Sequence, residues 1–61
     1  MKGVSAVEIA QALGVHRSSI VRRAESERWV FTTERARGGF RNIFPVRALP
    51  AEIREAVLEW L

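Results

Sequence analysis

Residues 6–25 read AVEIAQALGVHRSSIVRRAE, a pattern of two short helices joined by a tight turn. Ser5 and Glu8 have the spacing of a capping box, in which each side chain accepts a hydrogen bond from the other residue's backbone N–H. Gly14 suits the left-handed conformation that commonly ends a helix. The first helix is therefore predicted over residues 5–13, with the turn at Gly14.

A second helix follows after three or four residues, which forces a sharp crossing with the first. His16, Ser18 or Ser19 can cap its start, and it ends near Glu27 or Arg28. For His16 a capping role is expected, with a phosphate contact as the alternative. Its apolar residues predict a buried stripe made up of Ile20, Val21 and Ala24. The usual helix-turn-helix spacing would instead expose Val21, so the sequence leaves its placement open. Arg23 occupies a position that is usually apolar.

After the second helix the pattern changes to that of β-strands. Residues 29–33, WVFTT, are β-branched and aromatic, and residues 40–44, FRNIF, are typical of a returning strand. The RGG stretch at residues 37–39 indicates a turn between them. The sequence thus predicts a two-stranded hairpin that ends near Pro45. We call the region around its turn, residues 35–41, the wing.

A third helix is predicted at the carboxyl end. Pro50 suits the first helical position, and apolar residues recur at helical spacing over Ile53, Ala56, Val57, Trp60 and Leu61. Because this pattern stops without a capping residue, we expect a fragment of a longer protein. The order of elements predicts one α+β domain over residues 1–61, a small winged helix with a helix-turn-helix, a hairpin and a carboxyl-terminal helix.

The aromatic residues are predicted to build the core. Trp29, Phe31 and Phe44 would pair across the hairpin and pack on the helices, and Trp60 would close the core from the third helix. Phe40, beside the turn, is expected to be exposed. A platform on which single-stranded bases stack needs several exposed rings, so the sequence argues against that function.

The positive charge of the chain is concentrated in its middle. Residues 16–47 hold eight arginines against three glutamates, a net charge of +5, whereas the whole chain has a net charge of +3. The natural partner of such a stretch is a polyanion, and we expect double-stranded DNA. No membrane partner is expected, because the stretch lacks the continuous amphipathic helix that surface binding needs.

No feature of the sequence points to catalysis. The chain has no cysteine and no aspartate, and one histidine cannot form a histidine-rich metal site. It also lacks a glycine-rich phosphate loop. We therefore expect a non-catalytic domain with no metal, cofactor or small-molecule ligand. A cytoplasmic location is expected, because no signal peptide or membrane span is present in the sequence.

The second helix carries candidate DNA contacts near its start. An α-helix fits the major groove of B-DNA, and side chains near its amino terminus read base edges there. Arg17 and Arg22 are expected to contact bases, since arginine is the usual reader of guanine. Ser18 and Ser19 would contact bases or phosphates, and Val21, if exposed, could meet a thymine methyl group. The alternative is that either arginine only neutralises phosphates.

The wing is the second candidate contact. Arg35, Arg37 and Arg41 surround a tip that Gly38 and Gly39 keep thin. A thin positive tip can approach the DNA backbone and insert arginine into a narrow minor groove. The alternative is an ordinary solvated hairpin whose charges serve solubility.

Four short motifs in order, SAVEIA at residues 5–10, AESERW at 24–29, RGG at 37–39 and ALP at 48–50, resemble the Mu-type DNA-binding domain. That family is a winged helix, found at the amino terminus of phage Mu-like transposases and in the Mu repressor. A Gly-Gly wing, a downstream aromatic residue and a Leu-Pro helix start recur in it at similar separations, and Phe44 matches the aromatic residue. The resemblance covers about residues 4–60.

The resemblance implies the amino-terminal domain of a Mu-like transposase, which binds specific double-stranded DNA. Residues 17–23 match the recognition helix, which adds Arg23 to the candidate contacts, and residues 35–41 match the wing. This chain departs from the family at Arg28, where a glycine is frequent, and at Asn42, where an apolar residue is usual.

Other interpretations stay open. A phage repressor or other transcription regulator, or the small subunit of a terminase, would use a similar domain. An alternative of another class is a winged helix that binds proteins through the exposed end of its last helix. The isolated domain is expected to be a monomer, and the parent protein is expected to be oligomeric on DNA.

Overall fold

Three α-helices and a three-stranded antiparallel sheet make up residues 3–61, the part of the chain that this computed structural model describes. The elements in chain order are β1 (Gly3–Ser5), α1 (Ala6–Leu13), α2 (Arg17–Glu27), β2 (Thr32–Ala36), β3 (Gly39–Pro45), a 3-10 turn (Val46–Ala48) and α3 (Ala51–Trp60). The predicted α+β class is confirmed. None of the helices within residues 3–61 has the length and apolar character that a membrane crossing requires.

Local capping sets the boundaries of the first two helices. The Ser5 N–H donates to Glu8 Oε1 at 2.8 Å and the Glu8 N–H donates to Ser5 Oγ at 3.3 Å, so the predicted capping box is formed. Gly14 ends α1 in the left-handed conformation, with a φ of 71°. At the start of α2, His16 Nδ1 accepts a hydrogen bond from the Ser18 N–H at 3.1 Å, which confirms its capping role.

The sheet has a strand, β1, that the sequence analysis did not predict. The central strand β3 pairs antiparallel with both neighbours, in the order β1-β3-β2. Val4 lies opposite Phe44 in the β1–β3 pair, and a Cβ atom at Gly3 would overlap the Ile43 side chain. Because β1 has only three residues, it lacks the alternation that marks a strand in sequence. The prediction of a two-stranded hairpin was therefore incomplete.

The first strand of the hairpin begins later than predicted, at Thr32 rather than at Trp29. The Trp29 N–H donates to the Ala24 carbonyl oxygen at 3.0 Å, so this residue still belongs to the end of α2. Arg28, with a φ of 56°, turns the chain there, and the Trp29 ring packs edge-on against Phe44 at a centroid distance of 5.8 Å. Burial of Trp29 thus outweighs the strand preference of the residues around it.

The buried core draws on all three helices and on β1 and β3. Its members are Val4, Ile9, Ala10, Ile20, Ala24, Trp29, Phe44, Val46, Leu49, Ile53 and Val57. The prediction that Trp60 closes the core was wrong: Trp60 is 41% exposed and Leu61 is 59% exposed. The last buried residue of α3 is Val57, and the final turn of the helix runs past the core. Phe31 lies beside Phe44 but keeps half of its surface open to solvent.

Candidate nucleic-acid interface

A groove of about 1200 Å³ runs along one side of α2. Residues from the start of α1, from α2, from the segment that follows α2 and from β3 line this groove, which we call the α2 groove. Four arginines lie along it, Arg17, Arg22 and Arg28 from α2 and its end, and Arg41 from β3. Side chains that are far apart in sequence therefore form one positive surface.

Helix geometry explains why Arg28 belongs to this surface. Arg17 and Val21 are one turn apart, and Arg28 follows Arg17 by about three full turns, so all three lie on the same side of the helix. Arg28 ends α2 in the left-handed conformation, and all three residues line the groove. Arg28 was not among the contacts predicted from the sequence, although its spacing from Arg17 could have indicated one.

The contacts predicted on α2 divide between two sides of the helix. Arg17, Ser18 and Arg22 line the groove. By helical periodicity, Ser19 and Arg23 lie on the side that faces away from it. The structure also settles the placement of Val21, which is 44% exposed and lines the groove instead of joining the core.

The predicted wing contacts are also divided. Arg41 lines the groove, and its Nη2 donates to Glu34 Oε1 on the neighbouring strand at 3.1 Å. The two side chains of this ion pair are 53% and 54% exposed. Such exposed pairs contribute little free energy, about 0–1 kcal/mol, so a phosphate group can compete for the Arg41 guanidinium.

The other predicted wing residues lie at the tip of the hairpin. Arg35 is opposite Phe40 in the strand register, and Arg37 lies in the turn. Gly38 and Gly39 have φ values of 83° and 146°, which residues with a side chain rarely adopt, and a Cβ atom at either would meet nothing within 4 Å. The tip is therefore thin and solvent-exposed, as predicted.

Arg23 is engaged within the protein, where its side chain joins α2 to α3. Its Nε donates to Glu27 Oε2 at 2.8 Å, its Nη2 donates to Glu52 of α3, and its guanidinium lies 5.9 Å from the centre of the Trp29 ring. The hydrogen bonds to the two glutamates raise the pKa of Arg23 above its ordinary value. This network explains how arginine occupies a usually apolar position, and it leaves Arg23 poorly placed to join the groove.

Glu27 connects this network to the core. Trp29 Nε1 donates to Glu27 Oε1 at 2.9 Å while Arg23 holds the other oxygen. These hydrogen bonds lower the pKa of Glu27 below its ordinary value of 4.5, and the bond from Trp29 has the largest effect. Because the folded state has the lower pKa, the stabilisation is fully present above pH 4.5 and is lost as pH falls through the folded-state pKa.

We expect Glu27→Gln to remove part of the acid sensitivity of the fold. Wild type should lose thermal stability between pH 6 and pH 3 by more than the variant does, as measured by circular dichroism melting at each pH. Glu25→Gln, on the same helix and outside this network, is the matched control and should behave as wild type. Equal acid sensitivity of wild type and Glu27→Gln would show that ionisation of Glu27 does not contribute to stability.

The balance of charge in the α2 groove is positive. Its four arginines outnumber Glu8 and Glu25, and Glu8 already accepts the Ser5 N–H in the capping box. Within residues 3–61 there is no group of three side chains that could hold a metal ion. The groove is therefore suited to an extended anion.

Comparison with family profiles, curated proteins and solved structures finds no match for this chain.

Proposed function

We propose that this chain is a sequence-specific double-stranded DNA-binding domain with a winged-helix fold. The observation that carries the proposal is the α2 groove, in which arginines from α2 and β3 line one surface. Two helices joined by a short turn and followed by a hairpin have the element order of a winged helix. In that arrangement α2 is the recognition helix, and the major groove, about 12 Å wide, admits it.

In the proposed complex α2 enters the major groove and the wing meets the backbone and the minor groove. Arg17, Ser18 and Arg22 face the base edges, because they lie on the open side of α2. Arg28 and Arg41 lie at the end of α2 and on β3, where they would neutralise phosphates of the strand that passes through the groove. The exposed tip of the wing then approaches the minor groove.

The Mu-type resemblance extends the proposal to the parent protein. We propose a Mu-like transposase of the bacterial host cytoplasm, whose amino-terminal domain binds DNA without performing catalysis. The domain alone is a monomer, and the parent protein assembles on DNA. A ribonuclease-H-like domain with three spaced acidic residues on the same polypeptide would identify a transposase, whereas its absence from the parent gene would favour a repressor or a terminase small subunit.

A second candidate is a protein-interaction domain. Leu58, Trp60 and Leu61 are 57%, 41% and 59% exposed at the end of α3, which gives that end an apolar surface. Surfaces of this kind can mark interaction sites. This candidate predicts no affinity for duplex DNA even at low salt, which separates it from the first.

Arg22→Ala tests base reading. We expect a loss of about 1–3 kcal/mol of binding free energy on the preferred site, and relaxed preference at one or two base pairs. Arg37→Ala at the tip of the wing should instead weaken binding to all sequences evenly, since it would contact backbone. Fluorescence anisotropy with the selected duplex and single-base variants of it measures both effects.

The matched control for both variants is Arg47→Ala. Arg47 is exposed on the 3-10 turn and lies outside the α2 groove and the wing, and its backbone oxygen, which accepts from Arg54 Nη1, survives the change. Its removal should change affinity much less than either test variant. If Arg22→Ala and Arg37→Ala weaken all sequences equally, α2 does not read bases as proposed.

A further inference from the structure

Val21 is an apolar side chain in the middle of the groove side of α2. It lies one turn after Arg17 and one turn before Glu25, and 44% of its surface is exposed. Valine has a lower helix propensity than the straight-chain residues that usually fill exposed helical positions. A single exposed valine is ordinary on a protein surface, so Val21 becomes informative only together with the other apolar side chains of the groove.

Two other exposed apolar side chains line the same groove. Val7 of α1 is 42% exposed and Phe31, between α2 and β2, is 50% exposed. The Phe31 ring lies beside the buried Phe44 ring at a centroid distance of 5.9 Å, so the protein already holds it in place. Three separate segments thus contribute apolar surface to a groove that also contains four arginines. A ligand that combines an anionic backbone with apolar groups fits this surface.

We propose that Val21 reads the 5-methyl group of a thymine in the DNA strand that lies in the α2 groove. This proposal rests on the proposed function. Among the base edges in the major groove, thymine alone presents a methyl group. Arg17 and Arg28 lie on the same side of α2 as Val21. Arg17 can therefore meet a neighbouring base edge while Arg28 neutralises a phosphate of the same strand. Val21 therefore determines a preference for thymine at one position of the site.

The test replaces thymine by deoxyuridine, which has the same hydrogen-bonding edge and lacks only the methyl group. A duplex is first selected from a random-sequence pool with the wild-type chain, and each thymine in it is then replaced in turn. Wild type should lose affinity about fourfold at one position, the effect of removing one buried methyl-sized group. Fluorescence anisotropy at constant salt measures each dissociation constant.

Val21→Ala should remove this discrimination. In wild type, the dissociation constant for the deoxyuridine duplex should exceed that for the thymine duplex about fourfold at the sensitive position, the effect expected of one methyl group. In Val21→Ala this ratio should be near one. Replacement of the other thymines should have the same effect as in wild type. Val30→Ala is the matched control, because Val30 is 63% exposed and lies outside the groove. It should keep the wild-type ratio. Circular dichroism melting checks that each variant is folded, which the exposure of both valines leads us to expect.

Different results would contradict the Val21 proposal and the proposed function. If wild type binds a selected duplex but tolerates deoxyuridine everywhere, or if Val21→Ala still distinguishes thymine from deoxyuridine at the sensitive position, Val21 does not read a methyl group although the chain binds DNA. If no duplex is enriched from the pool even at low salt, the proposed function itself is wrong, and this proposal is wrong with it.

Discussion

Duplex binding by this chain is expected to weaken about a thousandfold when the salt concentration rises from 50 to 200 mM. Arginines that neutralise phosphates displace condensed counterions, and about six such contacts give a log–log slope of about −5. In the proposed complex, Arg28 and Arg41 of the α2 groove and Arg35 and Arg37 of the wing would supply contacts of this kind, and Arg17 and Arg22 would add further positive charge at the DNA. Anisotropy titrations at four or five salt concentrations measure the slope.

The slope can be assigned to particular residues with a double variant. Arg28→Ala with Arg41→Ala removes two arginines of the α2 groove and should flatten the slope by about two units, about one for each phosphate contact. Arg47→Ala, outside the groove, should leave it unchanged. A flat salt dependence for wild type, or no binding at 50 mM salt, would contradict the DNA proposal and favour protein binding at the end of α3.

Trp29→Ala is expected to unfold most or all of the domain. Trp29 is 7% exposed, packs edge-on against Phe44, and donates from Nε1 to Glu27. Truncating a buried tryptophan costs about 3–5 kcal/mol. A domain of this size has a total stability of only about 3–9 kcal/mol, at 0.05–0.15 kcal/mol per residue. Circular dichroism at 25 °C should show a largely unfolded chain, and heating should produce little cooperative transition.

Two variants serve as controls for this prediction. Trp29→Phe keeps an aromatic ring against Phe44 and loses the Nε1 donor, so it should be less destabilised than Trp29→Ala. Trp60→Ala removes a tryptophan that is 41% exposed and should stay folded, with a melting temperature near that of wild type. A cooperative melting transition of Trp29→Ala at the wild-type temperature would show that Trp29 does not hold α2 to the sheet.

The start and the end of α1, which local sequence specifies, were predicted correctly. The capping box of Ser5 and Glu8 and the left-handed Gly14 place α1 because each depends on hydrogen bonds or backbone angles within a few residues. The strand β1 could not be predicted in this way. Gly3–Ser5 is extended because it pairs with β3. A segment of three residues is too short to show a strand pattern, and β3 lies about forty residues further along the chain.

The candidate site also depends partly on local sequence and partly on long-range packing. Helical periodicity indicates which α2 residues share a side. The sequence nevertheless favoured a buried stripe that included Val21, and it grouped Arg23 with Arg17 among the candidate contacts. Periodicity does not indicate which side meets α3 and which meets the groove. Packing of α2 against its neighbours makes that choice: it pairs Arg23 with Glu52 and leaves Val21 open beside the arginines. The charge of this surface is therefore a property of the sequence, whereas its shape and its apolar centre arise from long-range contacts.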